Sequence, residues 1–161
     1  MDHNIQYMQN MSNQSLTSDQ LQFIDDLAQL LMPWGMPLTT ARLYGYLQIR
    51  NEPASLDEIA ADLQVSKSNA CTAAKLLEDH GNARRMSERG TKRVLYVAGG
   101  DPGAPLRKQT ELLGKMSELI DRRKGTVATG VAGDRMAHLA QFHGALKAAM
   151  ESVINSSRFE G

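Results

Sequence analysis

"SKSNACTAAKLLEDHGNARRMSERGTKRVLYV", residues 66–97, decides the fold. Its first half opens on Ser66, a good N-cap, and closes at Gly81, a good C-terminal stop, so it predicts a helix. Ala70, Ala73, Ala74 and Leu77 fall on one side of that helix. Lys67, Ser68, Cys71, Thr72 and Lys75 fall on another, with no bulky hydrophobe and no acid among them, and Ser66, Lys67, Ser68, Asn69 and Thr72 are the short polar side chains suited to base edges. The second half predicts two short strands, residues 83–87 and 92–97, around a Gly90 turn. Val94 and Tyr96 alternate with Leu95 and Val97, so the hairpin packs on the helices while its tip projects. Arg84, Arg85, Arg89, Lys92 and Arg93 face a single acid, Glu88.

That concentration of charge is local. The 161-residue chain carries 18 basic and 18 acidic residues. Up to residue 65 there are two bases, Arg42 and Arg50, against eight acids. Residues 66–98 carry seven bases against three acids, and the remainder nine against seven. A basic island of this kind marks an anionic partner or, more blandly, a solvated face. The length suits one domain, or a small domain with an oligomerisation element. No apolar run approaches the roughly 20 residues that span a bilayer. The opening "MDHNIQYMQNMSNQSLTSDQ" lacks a basic start followed by an apolar core, so it is not read as a secretory signal and the cytoplasm is expected. Residues 1–17 are expected to form a mobile arm. The single Cys forms no internal disulfide.

Working outward, Thr17 and Gln20 have capping-box spacing, and Leu21, Ile24, Leu27, Ala28 and Leu31 recur helically, predicting a helix over 18–32. "PWGMP" (33–37) breaks it. Thr39 or Thr40 is expected to cap a second helix that ends before Pro53. Ser55 and Glu58 make a second capping box, before a two-turn helix with Leu56, Ile59, Ala60 and Leu63 on its apolar face. "GGDPGAP" (99–105) reads as a linker. Beyond it Leu106, Leu113 and Ile120 lie seven apart, near Leu112, Met116 and Leu119. After a Gly-rich break (Gly125, Gly130, Gly133), Met136, Leu139, Leu146, Met150 and Val153 form a similar stripe. Such stripes serve as intramolecular core or as a dimer seam. The seam is expected over 106–157 from Leu106, Leu113, Met116, Ile120, Leu139, Leu146 and Val153, with the 18–32 helix possible beside it.

Two short helices, a tight turn and a basic hairpin compose a winged helix-turn-helix, predicted over 18–98 in a mainly α chain. A recognition helix needs short polar side chains at base edges. A wing needs arginines for phosphates or the narrow minor groove. Arg89 suits insertion at the tip, beside Thr91. Arg84, Arg85, Lys92 and Arg93 suit phosphates.

Residues 20–98 resemble the winged-helix regulators of the MarR family, and more narrowly their GbsR-like branch. The carriers are "WG-P-TTARLYGYL", "SLDEIA-DL-VSKSNA" and "LLEDHG" running into the basic wing. The resemblance implies a homodimeric transcription factor, often a repressor released by a small ligand, with dimer helices from both chain ends. It implies a recognition helix at Ser66–Leu77 and a wing tip at Glu88–Thr91. It also implies effector pockets between dimer helices and winged domain. Ala83 and Cys71 depart from the expected pattern, as does the Gly-rich "GTVATGVAG" (125–133).

Several residues admit two readings. Cys71 projects on the helical wheel towards the DNA side. It is read as a small side chain tolerated there, the alternative being a redox switch without a resolving partner. Trp34, Met36, Tyr44 and Tyr46 are either core packing or an aromatic site for an effector, such as a quaternary ammonium of the kind sensed in the resembling branch. His138 and His143 are five apart and share no helical face. His3 lies in the arm and His80 ends the recognition helix. No metal site, Walker loop or nucleophile elbow is present, so neither a cofactor nor catalysis is expected. The reading is a ligand-responsive repressor binding double-stranded DNA at a pseudo-palindromic operator as a homodimer. A protein-interaction adaptor and a nonspecific nucleic-acid binder are the alternatives.

Overall fold

The computed structural model describes residues 15–87 and 89–156. Residues 1–14 of the expected arm, with His3, lie outside them, as do Glu88 at the wing tip and Ser157. The chain divides into two compact units, one running to Asp79 plus Ala83–Ala98, the other His80–Asn82 plus the residues from Gly99 on.

The first unit is a winged helix-turn-helix. Helix α1, Ser18–Leu31, starts in a complete capping box: Thr17 N–H donates to Gln20 Oε1 at 2.9 Å and Gln20 N–H to Thr17 Oγ1 at 3.2 Å. Ile24 and Ala28, one turn apart, bury its inner face. A 3₁₀ turn, Met32–Trp34, ends on Gly35 at φ +87°, a conformation that favours glycine. Helix α2, Leu38–Gln48, starts earlier than expected. Pro37 holds the N-cap position and Thr40 is buried inside the helix, so neither Thr39 nor Thr40 caps it. Proline's fixed φ suits the approach to a helix, and no side chain caps this start. Gly45 lets α2 approach α1 closely, since a Cβ there would sit 3.4 Å from the Ile24 Cα.

Strand β1, Ala54–Ser55, leads into helix α3, Leu56–Leu63, through the Ser55–Glu58 capping box. Gln64 then takes the left-handed conformation at φ +55°, at a cost of about 1–2 kcal/mol for a residue with a Cβ. Its N–H bonds the Ala60 and Ala61 carbonyls, closing α3 so that helix α4, Lys67–Asp79, begins three residues later. Strands β2, Ala83–Ser87, and β3, Val94–Ala98, form the wing. The hairpin was expected to have two strands. β1 adds a third on the far side of β3, in the antiparallel order β1-β3-β2. Ala54 and Arg85 both oppose Tyr96. A two-residue strand carries no periodicity, so the sequence did not announce it.

Ile24, Leu43, Tyr46, Leu47, Ile59, Leu63, Leu77 and Tyr96, with five alanines, form one core. Each large apolar side chain there contributes about 1.5–3 kcal/mol relative to exposure. Arg42 reinforces the packing: its Nε donates to Asp25 at 2.8 Å and its Nη1 to the Leu63 carbonyl at 2.9 Å, joining α1, α2 and the end of α3.

The second unit is an antiparallel pair, α5 Ala104–Val127 and α6 Gly130–Ser156. The break falls at Ala128–Thr129. Gly125 and Gly133 lie inside the helices, and only Gly130, at φ +56°, marks the turn. Pro105 sits in the first turn of α5, where its missing N–H costs nothing, so the expected linker is shorter than 99–105. Small residues line the seam. A Cβ on Gly114 would meet the Lys147 side chain, one on Gly144 would meet Ser117 Oγ, and Ser117 Oγ donates to the Ala140 carbonyl at 2.9 Å.

Candidate nucleic-acid interface

Helix α4 is amphipathic in an unusual way. Its buried side is almost all methyl groups, Ala70, Ala73 and Ala74 with Leu77, so its axis lies close to the core. Its outer side leaves Ser66, Lys67, Ser68, Asn69, Thr72 and Lys75 exposed together. The local bonds divide these residues into two kinds. Ser66 Oγ accepts the Asn69 N–H at 3.1 Å, the bond an N-cap makes. Thr72 Oγ1 donates to the Ser68 carbonyl one turn back, also at 3.1 Å. Lys67 Nζ lies 2.9 Å from Asp57 on α3, an exposed pair that contributes about 0–1 kcal/mol to stability. The Asn69 amide and Lys75 ammonium have no such bond among the described residues.

The wing presents Arg84, Arg85, Arg89, Thr91, Lys92 and Arg93, all exposed. Gly90 turns the tip at φ +83°, and Thr91 Oγ1 accepts the Arg93 N–H at 3.1 Å, shaping the return strand. No carboxylate among the described residues pairs with Arg84, Arg89 or Lys92. Arg93 differs from its neighbours. Its Nη2 donates to Ser55 Oγ at 3.2 Å and lies 3.3 Å from Glu58 Oε2, so this expected phosphate contact is tied to the start of α3. Burial alone would raise the Glu58 carboxyl. The hydrogen bonds from Ser55 and the charges of Arg93 and Arg50 outweigh it and hold the group below the usual carboxylate range.

Cys71 requires a correction. It is half-buried rather than on the open outer face. Burial pushes the Tyr96 phenol up, nearby Arg85 opposes this, and Cys71 and Glu78 add to it. A helical wheel ranks a residue by angle alone and cannot see how deeply the helix is sunk into the core.

Tyr46 also requires one. It is fully buried, its hydroxyl donates to Asp62 Oδ2 at 2.7 Å, and Arg50 donates to that hydroxyl at 2.9 Å. Burial, with the Asp62 bond, pushes its phenol well above the ordinary range against the opposing charge of Arg50. It is a core residue, with nothing left to offer an effector. Met36 and Tyr44 are half-buried, and Trp34 is 85% exposed.

On α5 and α6, Leu106, Leu113 and Ile120 are half-buried, while Met116, Leu139, Leu146 and Val153 are exposed. Phe142, absent from the expected stripe, is 61% exposed. Its spacing from Leu139 (three) and Leu146 (four) is helical and signalled it. No group of three or more His, Cys, Asp or Glu among the described residues is placed to hold a metal ion, and no described helix is long and apolar enough to cross a membrane.

With this geometry the chain can be compared with known proteins. No family model matches it. It is 32% identical over 78 residues to the HTH-type transcriptional repressor GbsR of Bacillus subtilis (strain 168), across 48% of this chain and 43% of that one. It is 26% identical over 73 residues to the HTH-type transcriptional repressor OpcR of the same organism, across 45% and 40%. The chain thus matches less than half the length of these curated relatives. The crystal structure of a transcriptional regulator superposes with a TM-score of 0.72 over 86% of this chain and 97% of that one, at 19% identity. That likeness speaks to the fold alone.

Proposed function

We propose that this chain is a DNA-binding transcriptional regulator. It would act in the cytoplasm as a homodimeric, ligand-responsive repressor and belong to the GbsR-like branch of the MarR family. The observation that carries the reading is the exposed Ser/Asn/Thr/Lys face of α4 beside a wing whose Arg84, Arg89 and Lys92 are unpaired among the described residues. Phosphate binding alone would need only Lys and Arg, whereas Asn69 and Ser68 suit base edges. The HTH-type relatives support the same reading. Binding, not catalysis, is the activity.

Each α4 would enter a major groove and each wing would reach the backbone or minor groove. Two copies related by a two-fold axis ask for half-sites about one helical turn, roughly 10 bp, apart or a multiple of it. The second copy would cover the apolar surface of α5 and α6. An effector would act through its differential affinity for two dimer geometries, with Trp34, Met36 and Tyr44 as the candidate contacts.

Selection of bound duplexes from a random library tests this directly. Enrichment of an inverted repeat is the expected result, and Arg89→Ala should weaken binding to it. An unenriched pool bound with a steep salt dependence would replace the reading with nonspecific phosphate binding.

A further inference from the structure

Ser55 does three things at once. It pairs with Leu95 in the sheet, caps α3, and accepts a hydrogen bond from Arg93. Glu58 Oε2 takes the Ser55 N–H at 2.8 Å and its hydroxyl at 2.7 Å, and faces Arg93 as well. One turn on, Asp62 receives the Tyr46 hydroxyl and lies 3.5 Å from Arg50. α3 thus carries two carboxylates at i and i+4, each met by an arginine from outside the helix: Asp62 by Arg50, two residues past the end of α2, and Glu58 by Arg93, the residue just before β3. The Arg93 and Glu58 side chains are 51% and 29% exposed, so the pair adds little to stability. What it fixes is direction.

We propose that Arg93 is a positioning residue: the Ser55–Glu58–Arg93 clasp sets the angle of the wing to the α3–α4 pair, and Arg93 acts on DNA through that angle instead of through a phosphate. The inference rests on the DNA-binding reading above. It differs in sign from the simple electrostatic one. If Arg93 were a phosphate clamp, Glu58 would compete with DNA for it, and removing that negative charge would tighten binding. If the clasp positions the wing, removing the charge loosens it.

Glu58→Gln is the variant of choice, because Gln still serves at the third position of a capping box. Operator affinity is measured by fluorescence anisotropy across a salt series for the wild type, Glu58→Gln, Arg93→Ala and Arg93→Lys, with Arg84→Ala as the phosphate reference. Glu58→Gln and Arg93→Ala should each weaken binding about threefold to tenfold, with no further loss on combination. The two variants should share one salt slope, because both act through the wing's angle, whereas Arg84→Ala should lower the wild-type slope by about 0.9. Arg93→Lys keeps the charge but not the fork that spans two acceptors, so it should resemble Arg93→Ala. Tighter binding by Glu58→Gln, a wild-type-like Arg93→Lys, or a slope lower in Arg93→Ala than in Glu58→Gln would each overturn the proposal. Amide hydrogen exchange in the free protein separates the two layers. The clasp requires faster exchange in β3 of Glu58→Gln whether or not DNA is bound, and unchanged exchange there would refute it. A wild type with fast-exchanging clasp variants but no operator preference would instead refute the DNA-binding reading.

Discussion

The two units satisfy their apolar residues on different terms. In the winged unit Ile24, Leu43, Tyr46, Ile59 and Leu63 are at zero exposure, although its longest helix has only 14 residues. In the hairpin, helices of 24 and 27 residues bury only Thr110, Gly114, Ala140 and Ile154. Leu112, Leu119, Leu139, Phe142 and Val153 stand in solvent there. Seven short elements, four helices and three strands, can each turn a face inward. Two helices side by side have only the line where they touch, and here the small residues Gly114, Ser117, Ala140 and Gly144 lie along it. The winged unit closes its own core, while the hairpin carries an apolar surface that, on the dimer proposal, a second copy covers.

Four substitutions would break or sharpen that contrast. Leu43→Ala should cost about 2–5 kcal/mol by thermal or urea unfolding. The loss should not vary with protein concentration, and a concentration-dependent midpoint would mean that the winged unit also leans on a partner. Phe142→Glu should weaken self-association at least tenfold by sedimentation, with helix content kept, as a charge placed in an interface core does. A wild type that sediments as a monomer at every concentration would remove the dimer seam. Tyr46→Phe should cost about 1–2 kcal/mol, since Asp62 and Arg50 lose a partner. Its pH dependence has a definite sign. The folded phenol holds its proton more tightly than the unfolded one, so its contribution is complete below the ordinary tyrosine range and is lost as pH rises through the folded value. Wild-type stability should therefore fall more steeply above about pH 10 than that of Tyr46→Phe. Equal slopes would remove Tyr46 from the alkaline transition. The smallest effect is expected of Ser117→Ala, about 1 kcal/mol in the hairpin's helix–helix seam by unfolding. A loss several times larger would show that the hairpin has a self-sufficient core after all.

Much of this was legible in the sequence where periodicity and capping agree. Thr17–Gln20 and Ser55–Glu58 announced two helix starts, and the alanine spacing of α4 separated its inner from its outer face. Charge clustering picked out the wing. What escaped is what depends on a neighbour from another element. Arg93 looks like Arg84 in a string of letters, and only the fold brings Ser55 and Glu58 to it across 38 and 35 residues. Tyr46 looks like Tyr44, yet one is core and the other half-exposed. Cys71 lies on a helical wheel as if facing outward, yet it is half-buried. Gly125 and Gly133 read as breakers, and the helix simply runs through them where neighbouring residues supply enough propensity.

The most direct measurement is anisotropy of the protein with the DNA upstream of its own coding region and with scrambled DNA of equal length, across a salt series. A regulator that reads bases through α4 should hold the first at least a hundredfold more tightly at physiological salt, with both affinities falling as salt rises. Equal affinity for the two duplexes would mean that the polar face of α4 reads nothing. No binding to either would leave the basic wing to an acidic protein partner.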